Sequence, residues 1–433
     1  MHFVHGSWKK EDGNRIRVEE AAAKWHNARI ITAPMPEAYG THHSKMIVLF
    51  RHDLLTQIII LTANFIPQDF RMCQAVWRSP LLSSTPEQEK KVAPYSESAI
   101  GSGVRFKMDF IAYLQRYGHD RLGKLTKKLC NVDFSSIRAA LISSVPCTQI
   151  CGNRSSDTLF GWPALRRILK TIPSSSIQSS KPQIISQVSS VAAVGEKWLA
   201  QTFLPSLSTS KESQQSEHNL VFPTADSIRK STEGYAAGAS IHMKISKPAQ
   251  RKQLDFLRPM LRHWAADVDQ TTNARQAGQR RAAPHIKTYI RFSDESMTTI
   301  EWAMLTSANL STQAWGSAEN PQTQGVRVCS YEIGVIVWPE LFKESTEEVV
   351  EMIPVFKKDT PVAEFAAENM RGGKVEENAT SHPSPRRQRV VGWRMPYDLP
   401  LTKYENSDLP WSNALAHNEP DWKGRTWPGY GNG

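Results

Sequence analysis

The sequence predicts an α/β protein of two similar halves, each a mixed sheet flanked by helices, with a functional site where the halves meet. Three observations carry this expectation. Strand-sized apolar runs alternate with helical stretches along the chain. One internal echo sets the same side chains in both halves. Over 433 residues, 40% are hydrophobic and 22% charged, which suits a chain with a sizeable core. A prior of about 150 residues per domain suggests two or three domains. The polar, aperiodic stretch at 143–156 divides the chain into residues 1–148 and 149–433.

Taken in order, residues 28–33 (ARIITA), 45–50 and 57–62 (QIIILT) read as buried strands, and 106–129 holds the helix-like FIAYLQRY. A second α/β region runs to about residue 365. Residues 173–182, 207–217 (LSTSKESQQSE) and 369–389 have little to bury and read as loops or disorder. The segment 270–283 carries Arg275, Arg280 and Arg281. From Tyr397 onward, Trp411, Trp422 and Trp427 stand among prolines and glycines, a tail expected to pack over the body through its aromatics. No apolar run nears the roughly 20 residues of a membrane helix, and the opening MHFVHG lacks the charged-then-apolar plan of a secretory signal. Membrane and secreted roles are not expected. The five cysteines (Cys73, Cys130, Cys147, Cys151, Cys329) are too few and scattered for a disulfide framework. The lone CxxxC of Cys147 and Cys151 does not make a structural zinc site. With 53 Lys+Arg against 42 Asp+Glu, the net +11 favours a polyanionic partner.

The echo is long-range rather than periodic. The first half reads GTHHSKMIVLF from Gly40 and closes an apolar run at Ala63-Asn64. The second reads PHIKTYIRF from Pro284 and closes another at Ala308-Asn309. Lysine and asparagine are separated by 64 − 45 = 19 residues in the first copy and 309 − 287 = 22 in the second. A third His-x-Lys, His242-Met243-Lys244, has no Ala-Asn at a comparable distance and serves as the control for chance.

On a strand, residues i and i+2 share a face, so His43 and Lys45 project together, as do His285 and Lys287. Asn64 and Asn309 each add an amide from the neighbouring strand. Two facing copies make a pocket of two imidazoles, two ammonium groups and two carboxamides, a set suited to a phosphodiester. Lysine and asparagine would stabilise the charge that grows on phosphoryl oxygens. One neutral imidazole could attack phosphorus while the other, protonated, serves the leaving oxygen. No metal and no cofactor is required by this chemistry.

At these residues the chain resembles the tyrosyl-DNA phosphodiesterases of the topoisomerase I repair type, a branch of the phospholipase D superfamily. The likeness is carried by residues 40–50, 61–81 (with NFIPQDF and VWRSPLL), 187–198, 283–292 and 304–339 (LTSANLSTQAWG and SYEIGVIVWP). Five residues after each lysine stand Phe50 and Phe292, where general phospholipase D enzymes carry Asp and this branch does not. The resemblance implies two phospholipase D-like α-β-α sandwich domains with the active site at their pseudo-twofold interface. It implies His43 as the nucleophile forming a phosphohistidine and His285 as the acid, then base. Lys45, Lys287, Asn64 and Asn309 would hold the phosphate. Gln74 and Glu332 complete the substrate-binding set by orienting the imidazoles. Tyr39, Ser189, Ser190 and Ser311 fall on positions that contact DNA, and His42 is read as a structural neighbour. The family carries at least one further strand and a substrate-facing Tyr upstream of Phe3-Val4-His5-Gly6, so the chain is expected to be a truncated, fungal-like member.

The implied substrate is single-stranded or 3′-end DNA bearing a topoisomerase I peptide, with exonuclease-like trimming of other 3′ adducts. A monomer in the nucleus is expected, with the Arg386-Arg387-Gln388-Arg389 cluster as support for that location. A lipid-directed phospholipase D is one alternative. A catalytically impaired single-stranded DNA-binding protein is the other.

Overall fold

The structure is a computed structural model that describes residues 1–7, 9–84, 95, 98–151, 158–173, 181–211, 215–265, 275–359 and 388–430. Its centre is a seven-stranded sheet in the order Leu261–Arg262, Glu217–Val221, Gln183–Gln187, Thr288–Phe292, Ile300–Thr306, Glu332–Val337 and Ala140–Ser144. The first three strands run parallel, and every other pairing is antiparallel. These strands are almost continuously buried because both faces are covered, although they carry polar residues such as Gln183, Arg291 and Glu301. Ile185, Ile290, Leu305 and Val335 point into one core, which also takes Ile58, Ile60, Phe106, Phe110 and Tyr113 from the first half. Their neighbours Ile184, Tyr289, Met304 and Ile336 point into a second core with Leu165, Phe203, Leu254 and Trp411.

The first half contributes a three-stranded antiparallel sheet, Met46–Phe50, Thr56–Leu61 and Val76–Arg78. A separate parallel pair joins His2–His5 to Arg29–Thr32. The expected strands therefore form, within a residue or two. The helical region is two helices, Gly103–Gln115 and His119–Cys130. Ser102 caps the first by accepting from the Arg105 amide. Gly118, at φ 96°, turns the chain into the second in a conformation that L side chains rarely adopt.

What repeats is a three-stranded antiparallel unit. The order Met46–Phe50, Thr56–Leu61, Val76–Arg78 recurs as Thr288–Phe292, Ile300–Thr306, Glu332–Val337. The second copy is widened on both sides to seven strands. One widening strand, Ala140–Ser144, pairs with Glu332–Val337. The large sheet thus draws on residues upstream of the expected division at 148. Polar Ser143-Ser144 read as a boundary, yet both side chains are buried, Ser144 donating to the Ala314 carbonyl.

Residues 174–180, 212–214, 266–274 and 360–387 are not among those described. Most of the stretches expected as loops at 173–182 and 369–389, with Arg386 and Arg387, lie there, as do parts of 207–217 and 270–283. In the tail, Trp411 is fully buried and stacks on Tyr235 and His417, and Trp427 meets its edge. Trp422 departs from expectation: its ring is exposed while its indole N–H donates to the Ser231 carbonyl. No helix of the described residues is long and apolar enough to cross a membrane.

Two outcomes follow from this packing. A Cβ at Gly334 would sit 2.4 Å from the Leu305 carbonyl oxygen and 2.6 Å from Thr306 Cβ. Gly334→Ala is expected to cost about 1–3 kcal/mol, read as a lowered thermal midpoint. His42 and His218 are each held down to about 4, first by burial. Between that value and 6.5 the unfolded chain binds protons that the folded chain refuses, so stability falls as pH drops through this window. The urea midpoint should be lower at about pH 5 than at about pH 7, and a midpoint rising on acidification would contradict this.

Candidate active site

Both motifs enter the site at the mouths of their hairpins. His43 and Lys45 immediately precede Met46–Phe50, and His285 and Lys287 precede Thr288–Phe292. Asn64 and Asn309 lie three residues beyond the ends of Thr56–Leu61 and Ile300–Thr306. Gln74 precedes Val76–Arg78, and Glu332 opens Glu332–Val337.

The backbone registers of the two copies match bond for bond. The Lys45 carbonyl accepts from Leu61 and the Lys287 carbonyl from Thr306. The His43 amide donates to the Tyr331 carbonyl, and the His285 amide to the Cys73 carbonyl. This last pair crosses between halves, so each half anchors the other's histidine just ahead of its own Glu or Gln. Each lysine reaches back to the carbonyl two residues earlier, Lys45 to His43 at 2.5 Å and Lys287 to His285 at 2.6 Å.

Side chains repeat the exchange. His43 Nδ1 lies 2.9 Å from Glu332 Oε2, and His285 Nδ1 lies 3.0 Å from Gln74 Nε2. Behind each orienting group stands a hydroxyl two residues before the asparagine. Ser307 donates to Glu332 at 2.5 Å, and Thr62 donates to Gln74 Oε1 at 2.7 Å. The pseudo-twofold relation therefore extends to the groups that hold the imidazoles.

The two imidazoles are nevertheless held in opposite tautomers. A carboxylate only accepts, so His43 carries its proton on Nδ1 and turns the Nε2 lone pair to the pocket. Gln74 Nε2 also donates to the Asp69 carbonyl at 3.0 Å, which fixes the amide's orientation. Its second proton then faces His285 Nδ1, leaving the His285 proton on Nε2. The difference comes from Glu in one half and Gln in the other.

Electrostatics follow from burial. Lys45 and Lys287 are both almost fully buried. Burial pushes the Lys45 ammonium down to about 8 against the pull of Glu332 and Asp69. Lys287 falls well below the ordinary lysine range through burial and the neighbouring Lys45. His43 is lowered by burial although Glu332 opposes the shift. His285 is lowered further by burial, Lys287, Lys45 and His43. Burial works to raise Glu332, but His43, Lys45 and Ser307 outweigh it and keep the carboxyl below its usual range. Groups lowered in this way favour the approach of an anion, which would restore their charge.

The asparagines are held differently. Asn309 Oδ1 accepts from the Ser189 and Ser190 amides at 3.1 and 3.0 Å and from the Ser189 hydroxyl at 3.2 Å. That leaves the Asn309 amide protons to the pocket. Ser189 is buried, and its role in this arrangement is to hold Asn309, while Ser190 is half-buried beside it. Ser311 caps the short helix Thr312–Trp315 by accepting from Ala314. Tyr39 is 81% exposed, four residues before His43 in the chain. His42 is a neighbour pinned by the Tyr117 hydroxyl at 3.0 Å, which continues to Tyr113 and Ser44. The control triplet has a place as well, since His242–Met243 pairs with Ser190–Val191 beside the site. Arg275 donates to the Ser296 and Met297 carbonyls, whereas Arg280 and Arg281 line a cleft with Lys230, Trp264 and Trp422.

Sequence reasoning missed Asp69, Thr62 and Ser307. Asp69 lies within the quoted NFIPQDF but has no counterpart in the second copy, so the echo could not single it out. Thr62 and Ser307 do hold equivalent offsets, two before each asparagine, and that offset was available as a signal. Among the described residues, no three His, Cys, Asp or Glu side chains are grouped as a metal site.

Inorganic phosphate is expected to fill the anion-seeking pocket. At about 100 times its Kd it should stabilise the fold by ~2.7 kcal/mol, seen as a raised thermal midpoint. Lys287→Met should remove most of that shift, and an undiminished shift in this variant would place the anion elsewhere.

The comparisons agree with this architecture. The family model described as tyrosyl-DNA phosphodiesterase matches residues 1–405. A probable tyrosyl-DNA phosphodiesterase of Schizosaccharomyces pombe is 32% identical, over 99% of this chain and 84% of that protein. Tyrosyl-DNA phosphodiesterase 1 of Arabidopsis thaliana is 28% identical, over 98% and 67%. The crystal structure of the yeast tyrosyl-DNA phosphodiesterase superposes with a TM-score of 0.60 at 19% identity, covering 90% of this chain and 81% of that one, and shares its fold. With the family model spanning nearly the whole chain, the protein belongs to the tyrosyl-DNA phosphodiesterase family.

Proposed function

We infer that this protein is a DNA-repair phosphodiesterase that hydrolyses the bond between a DNA 3′ phosphate and the tyrosine of a trapped topoisomerase I. The observation that carries the reading is the unlike pair of imidazole partners, Glu332 on His43 and Gln74 on His285, with two buried lysines in the same site. His43 offers a lone pair on Nε2, and His285 offers a proton on Nε2, toward the same pocket.

The first step forms a bond from His43 Nε2 to phosphorus as the bond to the tyrosyl oxygen breaks. His285, as imidazolium, gives its Nε2 proton to the departing phenolate. Lys45, Lys287 and the Asn64 and Asn309 amides stabilise the charge spread over the non-bridging oxygens. In the second step neutral His285 takes a proton from water, whose oxygen attacks phosphorus. The phosphorus–His43 bond breaks, and a 3′ phosphate is released. No metal is assigned a part. Arrival of an anionic phosphodiester raises His285 from its depressed value and supplies the imidazolium.

The strand of DNA is proposed to run past Ser190 and Ser311, with Tyr39 as an exposed ring for a base. The membership of the family and the net +11 support a DNA substrate. The protein is proposed to act as a monomer in the nucleus, where such adducts arise, and to trim other 3′ adducts by the same steps. The lipid-directed and catalytically impaired readings are not favoured, since the homologues are tyrosyl-DNA phosphodiesterases and the site's side chains are all in place.

The test is a single-stranded oligonucleotide ending in a 3′-phosphotyrosine, incubated with the protein in excess EDTA. Conversion to the 3′ phosphate is expected, with His43→Ala slowing it by at least about 10³-fold. His285→Asn should accumulate a covalent protein–DNA adduct that His43→Asn does not form. Full activity of His43→Ala, or no conversion by folded wild-type protein, would overturn the reading.

A further inference from the structure

Asp69 is fully buried at the start of the turn Asp69–Arg71, five residues after Asn64. Its Oδ2 accepts from the Asn64 amide at 2.6 Å and from Asn64 Nδ2 at 2.8 Å. The same oxygen stands 3.4 Å from His285 Nδ1, while Oδ1 is buried without a partner. The duplicated plan does not require this residue: five after Asn309 stands Ala314. A buried carboxylate in one copy alone is costly unless its charge is used.

The acid step supplies the use. In the resting enzyme, with the His285 proton on Nε2, the Nδ1 lone pair receives the Gln74 proton. Once His285 is an imidazolium, Nδ1 also carries a proton, and two donors would then face each other. Gln74 cannot turn its oxygen in without breaking its bonds to the Asp69 carbonyl and to Thr62. Asp69 Oδ2, 3.4 Å from Nδ1, is the carboxylate placed to accept the new proton. Charge favours the same arrangement. His285 faces Lys287, Lys45 and His43, all of which oppose its protonation. Glu332 is committed to His43 and Ser307. When both lysines carry their charge, Asp69 and Glu332 balance them, so an anionic phosphodiester and the His285 imidazolium add to the pocket as a neutral pair.

We propose that Asp69 holds the Nδ1 proton of His285 in its imidazolium form and is thereby the positioning residue of the acid step. His285 Nδ1 faces Gln74 in the resting Nε2–H tautomer and turns to Asp69 once it carries a proton, both in the imidazolium and in the neutral Nδ1–H form left after the Nε2 proton is given up. The inference rests on the phosphodiesterase reading and adds to it the group that lets His285 work as an acid among three other cationic or basic side chains.

The test uses Asp69→Asn, whose side-chain oxygen can still accept from Asn64, with two substrates on the same oligonucleotide. One ends in a 3′-phosphotyrosine, whose phenol has a pKa of about 10 and needs a proton to leave. The other ends in a 3′-p-nitrophenyl phosphodiester, whose phenolate leaves unaided. Asp69→Asn should slow the tyrosyl substrate by about 10²-fold in single turnover and change the p-nitrophenyl substrate only slightly. Because loss of the carboxylate disfavours the imidazolium, the basic limb of the tyrosyl pH–rate profile should also move to lower pH. Equal slowing of both substrates would mean that Asp69 acts only through Asn64, and no slowing would mean that it is idle; either overturns the proposal. Wild-type protein that cleaves neither substrate would instead remove the phosphodiesterase reading. Independently of any variant, wild-type protein with inorganic phosphate should show, at low pH, a His285 Nδ1 proton shifted downfield as in a charge-assisted bond to a carboxylate. Its absence would likewise overturn the proposal.

Discussion

The site depends on a crossed exchange between the halves of the chain. His43 is held by Glu332 and by the Tyr331 carbonyl, and His285 by Gln74 and the Cys73 carbonyl. Neither half can present a correctly oriented imidazole alone, because the orienting group always comes from the other. Such bonds are strong when buried and costly when broken, so they fix the distance and angle between the hairpins as well as the rings. The shared core, in which Ile58, Ile60 and Phe110 of the first half meet Ile290 and Leu305 of the second, supplies the rigid support.

Duplication builds the pocket, and departures from duplication give it direction. Two equal copies would offer two equivalent imidazoles and no reason for one to attack and the other to donate. Replacing Glu by Gln at one of the two orienting positions sets opposite tautomers. Asp69 adds a charge on the His285 side alone, and Asn64 and Asn309 are pinned by an acceptor and by donors respectively. The chemistry asymmetry is thus carried by a handful of polar residues on an otherwise matching backbone register.

Much of this was legible in the sequence. The strands at 28–33, 45–50 and 57–62 are dense in β-branched residues and form as read. The His-x-Lys pairs and closing asparagines were visible because duplication leaves the same residue types at similar spacing. Hidden were the features without a second copy or a local pattern. Asp69 has no echo, and the resemblance gave Ser189 only as a DNA contact, with no sign that it is buried and holds Asn309. Ser143-Ser144 looked like a boundary because hydroxyls read as solvent-facing, yet they close an edge strand of the central sheet. Trp422 read as a packing residue from its type, whereas only its indole N–H is anchored. Each is decided by a partner far away in sequence.

The central claim, that the crossed bonds set opposite tautomers on the two imidazoles, is open to direct measurement. Nitrogen chemical shifts of ¹⁵N-histidine-labelled protein at neutral pH report which ring nitrogen bears the proton, with His43→Gln and His285→Gln spectra assigning the two signals. The account predicts the proton on Nδ1 in His43 and on Nε2 in His285. The same tautomer in both rings would contradict it.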